Sequence, residues 1–380
     1  MATFHGYVHV PFCRVRCGYC DFNTYTSEEL DGYPQTAFLK HLEVEVQLAR
    51  QEESVRPLST VFFGGGTPTL LPANELAQAF TLLKETFGLE EGAEVTTEAN
   101  PDTLTFEYLE TLKHSGFTRI SVGMQSANRS VLKTLDRTHS PEAVSRSIAW
   151  AKDLGLHTSV DLIYGAPGET FDQWKESVDT AIGFETDHIS AYALILEPAT
   201  KLARAVNSGL VEEPDDDLAA TKYEWIDSQL ASNGFHWYEL SNWAKSEIFE
   251  SRHNIAYWQG QDWWGFGPGA HSHMSGSRWS NLKHPSSYAR VLQTGEVPAE
   301  NRETITATQL LEERAMLELR LRTGLDVAVV SELNPNHAKV ISGLIADGLV
   351  DGKSAISGRL ILTLKGRLLA DFVLRKLLGL

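Results

Sequence analysis

The chain has 380 residues, of which 42% are hydrophobic, and its 33 basic and 50 acidic side chains give a formal net charge of −17. A chain longer than about 300 residues usually divides its hydrophobic core, so we expect one large domain and a smaller one. The acidic balance argues against nucleic acid as a partner, and the lack of a signal peptide or membrane-length apolar stretch predicts a cytoplasmic protein with at most peripheral membrane contact.

The first predicted strand, residues 7–10, leads into a loop that holds every cysteine of the chain, Cys13, Cys17 and Cys20, in CxxxCxxC spacing. Three thiols in one loop do not pair off as disulfides, whereas soft thiolates at short spacing are typical of an iron-sulfur cluster or zinc. Zinc is the less favoured alternative, because a second pair of cysteines is missing and His9 should project from the strand. A cube cluster on three thiolates leaves one iron open to another ligand.

Short β-rich runs then alternate with helical periodicity. Strands are predicted at residues 7–10, 59–63, 94–98, 119–122, 158–163 and 189–194. Helices are predicted at residues 36–51, 73–87, 105–115, 141–154 and 171–182. Six strand-helix units imply parallel strands with right-handed crossovers, so the predicted fold class is α/β, a partial (βα)6 TIM-type barrel.

Unusual residues follow each predicted strand, at the end where parallel barrels carry their chemistry. After the cysteine loop these segments are Gly64-Gly65-Gly66-Thr67-Pro68, Glu98-Ala99-Asn100-Pro101, Gly123-Met124-Gln125-Ser126, Asp161 with Tyr164-Gly165-Ala166-Pro167-Gly168, and Tyr192-Ala193. Each has an ordinary alternative as a tight turn, a strand end or a helix cap. Set on one barrel rim that faces a cluster, Glu98 and Asp161 are candidates for hydrogen-bonding the ribose hydroxyls and the amino group of a nucleoside cofactor. We expect Gly66 to leave space for that cofactor, so that valine there would block binding and spare the fold.

The cysteine loop after a first strand, with Tyr19 beside the last thiol, resembles the radical S-adenosylmethionine (SAM) superfamily. The resemblance implies a 4Fe-4S cluster on Cys13, Cys17 and Cys20, with SAM on the open iron and an electron that splits SAM to a 5'-deoxyadenosyl radical. It also implies an electron donor such as flavodoxin or ferredoxin.

The segments Tyr7-x-His9-x-Pro11-Phe12-Cys13, Gly64 to Pro68, Glu98 to Pro101 and Gly123 to Ser126 resemble, more narrowly, the oxygen-independent coproporphyrinogen III oxidase group. This resemblance covers nearly the whole chain and places Arg137 opposite the SAM carboxylate. The SAM-binding residues that it implies are Tyr7, Tyr19, Gly65, Gly66, Thr67, Glu98, Gln125, Arg137 and Asp161.

The chain departs from those oxidases in two places. Phe22 stands where the oxidases have a further cysteine. The oxidases also have a long segment before the first strand, whereas the predicted first strand here begins at Tyr7. In both places the chain is similar to a haem-chaperone branch of the group. This similarity implies haem or another porphyrin as cargo and a haem-acceptor protein, such as a respiratory one. The alternative is a coproporphyrinogen III dehydrogenase, and a SAM-dependent modifier of another substrate is a third class. Whether the protein is an enzyme stays open, and no catalytic residue is assigned.

Seven of the nine tryptophans lie between residues 225 and 279. Within this stretch, His253-Asn254-Ile255-Ala256-Tyr257-Trp258 resembles the HNxxYW motif associated with haem binding in the chaperone branch. Imidazole is a common axial ligand of haem iron, so His253 is the predicted haem ligand. His271 and His273 are its rivals, and Arg252 or Arg278 would meet the propionates. The ordinary alternative is a tryptophan-rich core with a hydrogen-bonded histidine.

The last 75 residues have a different character. An apolar helical stripe at residues 310–321, a helix at 338–346, a hairpin within 349–364 and a helix at 367–377 predict an α+β, winged-helix-like domain. We expect it to serve packing or partner docking, because the chain is too acidic for DNA binding. The predicted domains are the radical SAM partial barrel (1–230), an aromatic and glycine-rich segment that completes the barrel side and holds the haem region (231–300), and the C-terminal domain (301–380).

Overall fold

The structure, a computed structural model, describes residues 3–52 and 56–380. Within these residues, twelve strands form one sheet in the order β12-β11-β10-β9-β1-β2-β3-β4-β5-β6-β8-β7. In chain order they are β1 (Phe4–Val10), β2 (Leu58–Gly65), β3 (Leu89–Ala99), β4 (Arg119–Gln125), β5 (His157–Tyr164), β6 (His188–Ala193), β7 (His236–Glu239), β8 (Asn242–Ala244), β9 (Asp262–Phe266), β10 (His271–Met274), β11 (Ser277–Asn281) and β12 (Ala299–Thr304). Strands β1 to β6 are parallel, and β9 pairs in parallel with β1 on its other side.

The helices of the barrel region are α1 (Phe38–Glu52), α2 (Ala73–Phe87), α3 (Phe106–Ser115), α4 (Arg129–Thr134), α5 (Pro141–Asp153), α6 (Phe171–Gly183), α7 (Lys201–Asn207), α8 (Asp216–Ser232), α9 (Arg252–Trp258) and α10 (Pro285–Leu292). Most of those between the parallel strands cover the outer face of the sheet, whereas α9 faces the interior. In α2, for example, Leu76, Phe80, Leu83 and Phe87 recur on one face and are buried. The predicted α/β partial barrel is confirmed, with its six strands and five helices shifted by a few residues at their ends.

The two faces of the parallel strands differ in polarity. On β4, Ile120 and Val122 point outward into the apolar core under the helices, while Arg119 and Ser121 point inward. The other strands alternate in the same way. Parallel strands covered on both faces are usually apolar throughout, so these inward polar residues leave the barrel interior open and lined with hydrogen-bonding groups.

The segment after α8 extends the sheet at both edges. Strands β7 and β8 join β6 in antiparallel pairing, and β9 to β11 continue from β1 on the opposite side. Helix α9 lies between these two additions, and the backbone amides of Arg252 and His253 donate to the Glu94 carboxylate on β3, both at 3.1 Å. The aromatic segment therefore brackets the parallel strands from two sides.

The C-terminal unit has a separate apolar core that includes Leu319, Val330 and Val373. Its elements are α11 (Ala307–Glu318), β13 (Leu325–Asp326), α12 (Val327–Leu333), α13 (His337–Ala346), α14 (Gly352–Ile356), β14 (Arg359–Leu360), α15 (Leu364–Leu368) and α16 (Ala370–Leu378). The arms of the predicted hairpin do pair in the antiparallel direction, but a short helix, α14, capped by Asp351, stands between them, and β14 pairs with β13. Only an isolated bridge, Val350 to Leu362, joins the two predicted arms. In the described part of the chain, no helix is long and apolar enough to cross a membrane.

A buried ion pair attaches this unit to the barrel. The Arg367 guanidinium in α15 donates to both carboxylate oxygens of Asp227 in α8, at 2.8 and 2.6 Å. It also lies over the Trp237 ring, 4.3 Å from the centroid. A bidentate geometry with stacking suits arginine alone among the basic side chains, so this contact orients the C-terminal unit specifically.

We predict that Arg367→Ala lowers the free energy of unfolding by about 3 kcal/mol, because it leaves the largely buried Asp227 carboxylate without its partner. Urea denaturation measures the change. Arg375→Ala, which removes an exposed arginine from α16, is the matched control and should stay within about 0.5 kcal/mol of the parent. Equal stabilities of the two variants would show that the pair does not hold the units together.

Candidate cofactor site in the barrel

A cavity of about 1010 Å³ occupies the barrel interior and opens at the carboxyl ends of the parallel strands. Every residue predicted to bind the cluster, SAM or haem iron lines it. These residues are Tyr7, Cys13, Cys17, Tyr19, Cys20, Gly65, Gly66, Thr67, Glu98, Gln125, Arg137, Asp161 and His253. The rivals His271 and His273, and the predicted propionate partners Arg252 and Arg278, are not among its lining residues.

The cysteine loop is held against the glycine-rich loop that follows β2. The Gly66 amide donates to the Val10 carbonyl and the Thr67 amide donates to the Phe12 carbonyl, both at 2.8 Å. The Thr67 hydroxyl lies 4.0 Å from the Cys13 thiol. These contacts continue the pairing of β1 and β2 past the strand ends and present the thiols to the cavity.

The three thiols are electrostatic neighbours. Burial raises the pKa of the Cys20 thiol to about 11, and the charges of Cys17 and Cys13 act in the same direction. Among residues 3–52 and 56–380, no three His, Cys, Asp or Glu side chains converge to hold a single metal ion. A set of three thiols on one loop suits a cluster, in which each thiolate ligates a different iron.

Arg137 and Gln125 place polar groups beside the thiols. One Arg137 nitrogen lies 3.7 Å from the Cys17 sulfur and another donates to the Gly123 carbonyl at 3.2 Å. Gln125 has a positive φ of 58°, and its side-chain carbonyl oxygen is buried without a hydrogen-bond partner. Backbone strain together with a buried unsatisfied oxygen is a feature of ligand sites, so Gln125 has an acceptor available for a bound group.

Two carboxyl groups face each other deeper in the cavity. Burial, followed by the charge of Asp161, raises the pKa of Glu98 to about 8. The Glu98 carboxylate accepts from the Gly65 amide at 3.2 Å, and the Asp161 carboxylate accepts from the Ser121 hydroxyl at 2.9 Å. Burial likewise raises the pKa of Asp161. Hydrogen-bond donors of a ligand would therefore meet two acceptors here, and the charge of one of them, Glu98, depends on pH near neutrality.

The structure corrects the expectation for Gly66. A Cβ at this position would lie 2.5 Å from the carbonyl oxygen of Phe12 and would not point into the cavity. Gly65, with a φ of 107°, would direct a Cβ against the His9 ring at 2.6 Å. Both glycines are therefore required for close packing of the two loops, not to leave space for a ligand.

His253 lies in the cavity wall at the end opposite the cysteines. Its Nδ1 is 2.6 Å from the Thr60 hydroxyl and its Nε2 is 2.9 Å from the Tyr257 hydroxyl. The imidazole stacks on Phe62, and its side chain is buried. Both ring nitrogens are thus engaged within the protein, unlike those of His271, whose exposed ring makes no hydrogen bond to any residue that the structure describes.

Several cavity residues were not predicted from the sequence. They are Thr96, Arg119, Ser159, His188, Ser190, Asn242 and Asn254. Those on β3 to β6 precede the strand ends by two or more residues and alternate with buried apolar residues. That alternation was the available signal, because a polar residue at every second position of a covered parallel strand must face a polar interior.

Comparison with known proteins agrees with this geometry. A family model described as the radical SAM superfamily matches residues 7–181, so the fold and the cysteine site define a radical SAM protein. The chain is 45% identical to the "Heme chaperone HemW" of Mycobacterium tuberculosis (strain H37Rv) over 99% of this chain and 95% of that protein. It is 32% identical to the "Heme chaperone HemW" of Bacillus subtilis over 98% of both chains. The chain belongs to the HemW family.

A solved structure shares the fold across both units. The coproporphyrinogen III oxidase HemN of Escherichia coli, described as a radical SAM enzyme, superposes with a TM-score of 0.84 over 99% of this chain and 90% of that chain. The sequence identity is 22%. At this identity the likeness establishes the architecture only.

We predict that Gly66→Ala destabilises the folded protein, because the added methyl group would overlap the Phe12 carbonyl and separate the two loops. The expected loss is about 1–3 kcal/mol, typical of overpacking, measured by thermal and urea unfolding. Gly343→Ala is the control, since its Cβ would meet no atom within 4 Å and it lies at an exposed position of α13, where alanine should be neutral or stabilising. A Gly66→Ala protein as stable as the parent would contradict the packing role.

A second prediction concerns pH. Between the ordinary glutamate pKa of 4.5 and the native value of about 8, Glu98 keeps a proton in the folded state that the unfolded chain has lost. Its contribution to stability is therefore full below pH 4.5 and declines as pH rises toward 8. We expect the difference in unfolding free energy between the parent and Glu98→Gln, measured without cofactors from pH 5 to 9, to change in this direction. A pH-independent difference would mean that Glu98 titrates normally.

Proposed function

We propose that the protein is a haem chaperone, which binds haem, carries a SAM-ligated 4Fe-4S cluster and transfers haem to an acceptor protein. The observation that carries the proposal is the identity of 45% over 99% of the chain with a protein named "Heme chaperone HemW". The open barrel with three thiols at its mouth supports the cofactor part.

In this proposal Cys13, Cys17 and Cys20 hold the cluster and Arg137 pairs with the SAM carboxylate. Gln125, Glu98 and Asp161 would orient the remaining polar groups of SAM, and Tyr7, Tyr19, Gly65, Gly66 and Thr67 would complete the wall around it. Bound together, cluster and SAM supply one-electron chemistry. A buried guanidinium near the thiols would also offset part of the negative charge of the cluster.

Coproporphyrinogen oxidation is the second candidate, favoured by the fold shared with HemN. Phe22 argues against it, because an exposed aromatic ring lines the cavity where the oxidases are expected to have another cysteine. The acceptor protein, an electron donor such as flavodoxin or ferredoxin, and a cytoplasmic location all belong to the proposal.

The function is tested with anaerobically purified protein whose cluster has been reconstituted. We expect tight haem binding and no conversion of coproporphyrinogen III to protoporphyrinogen, with no matching release of 5'-deoxyadenosine. Cys17→Ala should lose the iron-sulfur absorbance. Conversion with stoichiometric 5'-deoxyadenosine would favour the oxidase, and stoichiometric zinc without iron-sulfur absorbance would refute the cluster.

The haem ligand is tested at His253. His253 can ligate iron only if the hydrogen bond at one of its ring nitrogens, to Thr60 or to Tyr257, breaks. We therefore expect His253→Ala to lower the free energy of unfolding by about 2–4 kcal/mol, from lost packing and a buried hydroxyl left unpaired, and to leave the Soret band unchanged. Haem titrations and melting curves measure both effects. A shifted Soret band with weaker haem binding would instead identify His253 as the ligand, whereas the same loss in the matched variant His271→Ala would identify His271.

A further inference from the structure

The barrel cavity continues well below the predicted SAM site. Arg119 is the first residue of β4, four residues before Gly123, where Arg137 lies. Since a strand rises about 3.3 Å per residue, Arg119 and the Gly123 position that Arg137 contacts are separated by roughly 13 Å along β4. The cavity volume of about 1010 Å³ is at the upper limit for a single drug-sized ligand, so there is space for a second one.

Arg119 is a buried cation with an incomplete set of partners. Its residue is 3% exposed, and one guanidinium nitrogen donates to the backbone carbonyl of Phe249 at 2.6 Å. No Asp or Glu oxygen in residues 3–52 and 56–380 lies within the 4.0 Å of an ion pair with it. A charge buried in this way is costly unless an anion accompanies it.

Thr96 is an unpaired hydroxyl beside that cation. Thr96 and Arg119 are direct partners in the register of β3 and β4, and both line the cavity. Thr96 is 1% exposed, and its hydroxyl oxygen has no hydrogen-bond partner. Buried polar atoms are rarely left unsatisfied, so a free hydroxyl next to an incompletely paired guanidinium points to a bound group that both would contact.

The neighbouring polar side chains are already paired with one another. The Ser159 hydroxyl and the Tyr238 hydroxyl each lie 2.8 Å from a ring nitrogen of His188. Asp161 accepts from Ser121, and the Asn242 side-chain amide donates to Glu239. The unused hydrogen-bonding capacity at this level is therefore concentrated at Arg119 and Thr96.

We propose that Arg119 and Thr96 form a second binding site on the barrel floor, for a small organic carboxylate. A carboxylate matches a single guanidinium in charge and can accept two parallel hydrogen bonds from it while also accepting one from a hydroxyl. A phosphate dianion would leave a negative charge uncompensated beside Asp161 and Glu98.

Binding is tested on the full-length protein with 3,3,3-trifluoropropionate as the probe, followed by fluorine NMR, both without cofactors and with the cluster and SAM loaded. We expect saturable binding in both states, since SAM would occupy the carboxyl ends of the strands and leave Arg119 and Thr96 free. Inorganic phosphate should not displace the probe. Absence of saturable binding, or displacement by phosphate but not by propionate, would overturn the proposal.

Three variants locate the probe. Arg119→Gln should raise its Kd at least about tenfold, and Thr96→Val should raise it several-fold, as expected for hydrogen bonds to a charged group. Thr96→Val removes an unpaired hydroxyl from an isosteric side chain, so the empty protein should be at least as stable as the parent, which keeps the test valid if Arg119→Gln fails to fold. Arg137→Gln removes the cation at the rim. Loss of binding in Arg137→Gln with unchanged binding in Thr96→Val would place the probe in the SAM carboxylate site and refute the floor site.

Discussion

The alternation of side chains along six parallel strands is the constraint on which the rest of this molecule depends. Outward residues such as Val61 and Ile120 pack under the helices, and inward residues such as Thr96 and Ser121 are polar. A barrel filled with branched apolar side chains would be a packed core. Here the inward polarity keeps a cavity open, and the parallel direction brings all the strand ends to one mouth.

Polarity inside the barrel has an energetic cost that the fold offsets locally. Buried carboxyl groups have raised pKa values, as for Glu98, or accept hydroxyl hydrogen bonds, as for Asp161. The Gly65 amide that donates to Glu98 belongs to the same loop that packs on the cysteine segment. The predicted cluster ligands and the predicted SAM ligands are thus joined by a short series of hydrogen bonds through the glycine-rich loop.

Helix α9 gives the HNxxYW segment a structural role, through its contacts with β1, β2 and β3. Glu94 accepts from its first amides, and His253 connects through Thr60 to His5 on β1. The segment closes the barrel end opposite the cysteines. If haem binds through this helix, it must enter from that end or rearrange these contacts. Haem and the cluster would then lie at opposite ends of one cavity, which separates a cargo site from a redox site.

The sequence by itself determined the local features: the CxxxCxxC loop, the alternating strands and helices, and the glycine, glutamate and glutamine segments at the strand ends. These depend on short-range spacing, which is unchanged by folding. Only the tertiary structure decided that the Gly66 Cβ would meet Phe12, that both nitrogens of His253 are engaged, and that Thr96 lies beside Arg119. Each of these facts depends on the register and packing of segments far apart in the chain, and the pairing of β14 with β13 beside the predicted hairpin has the same origin.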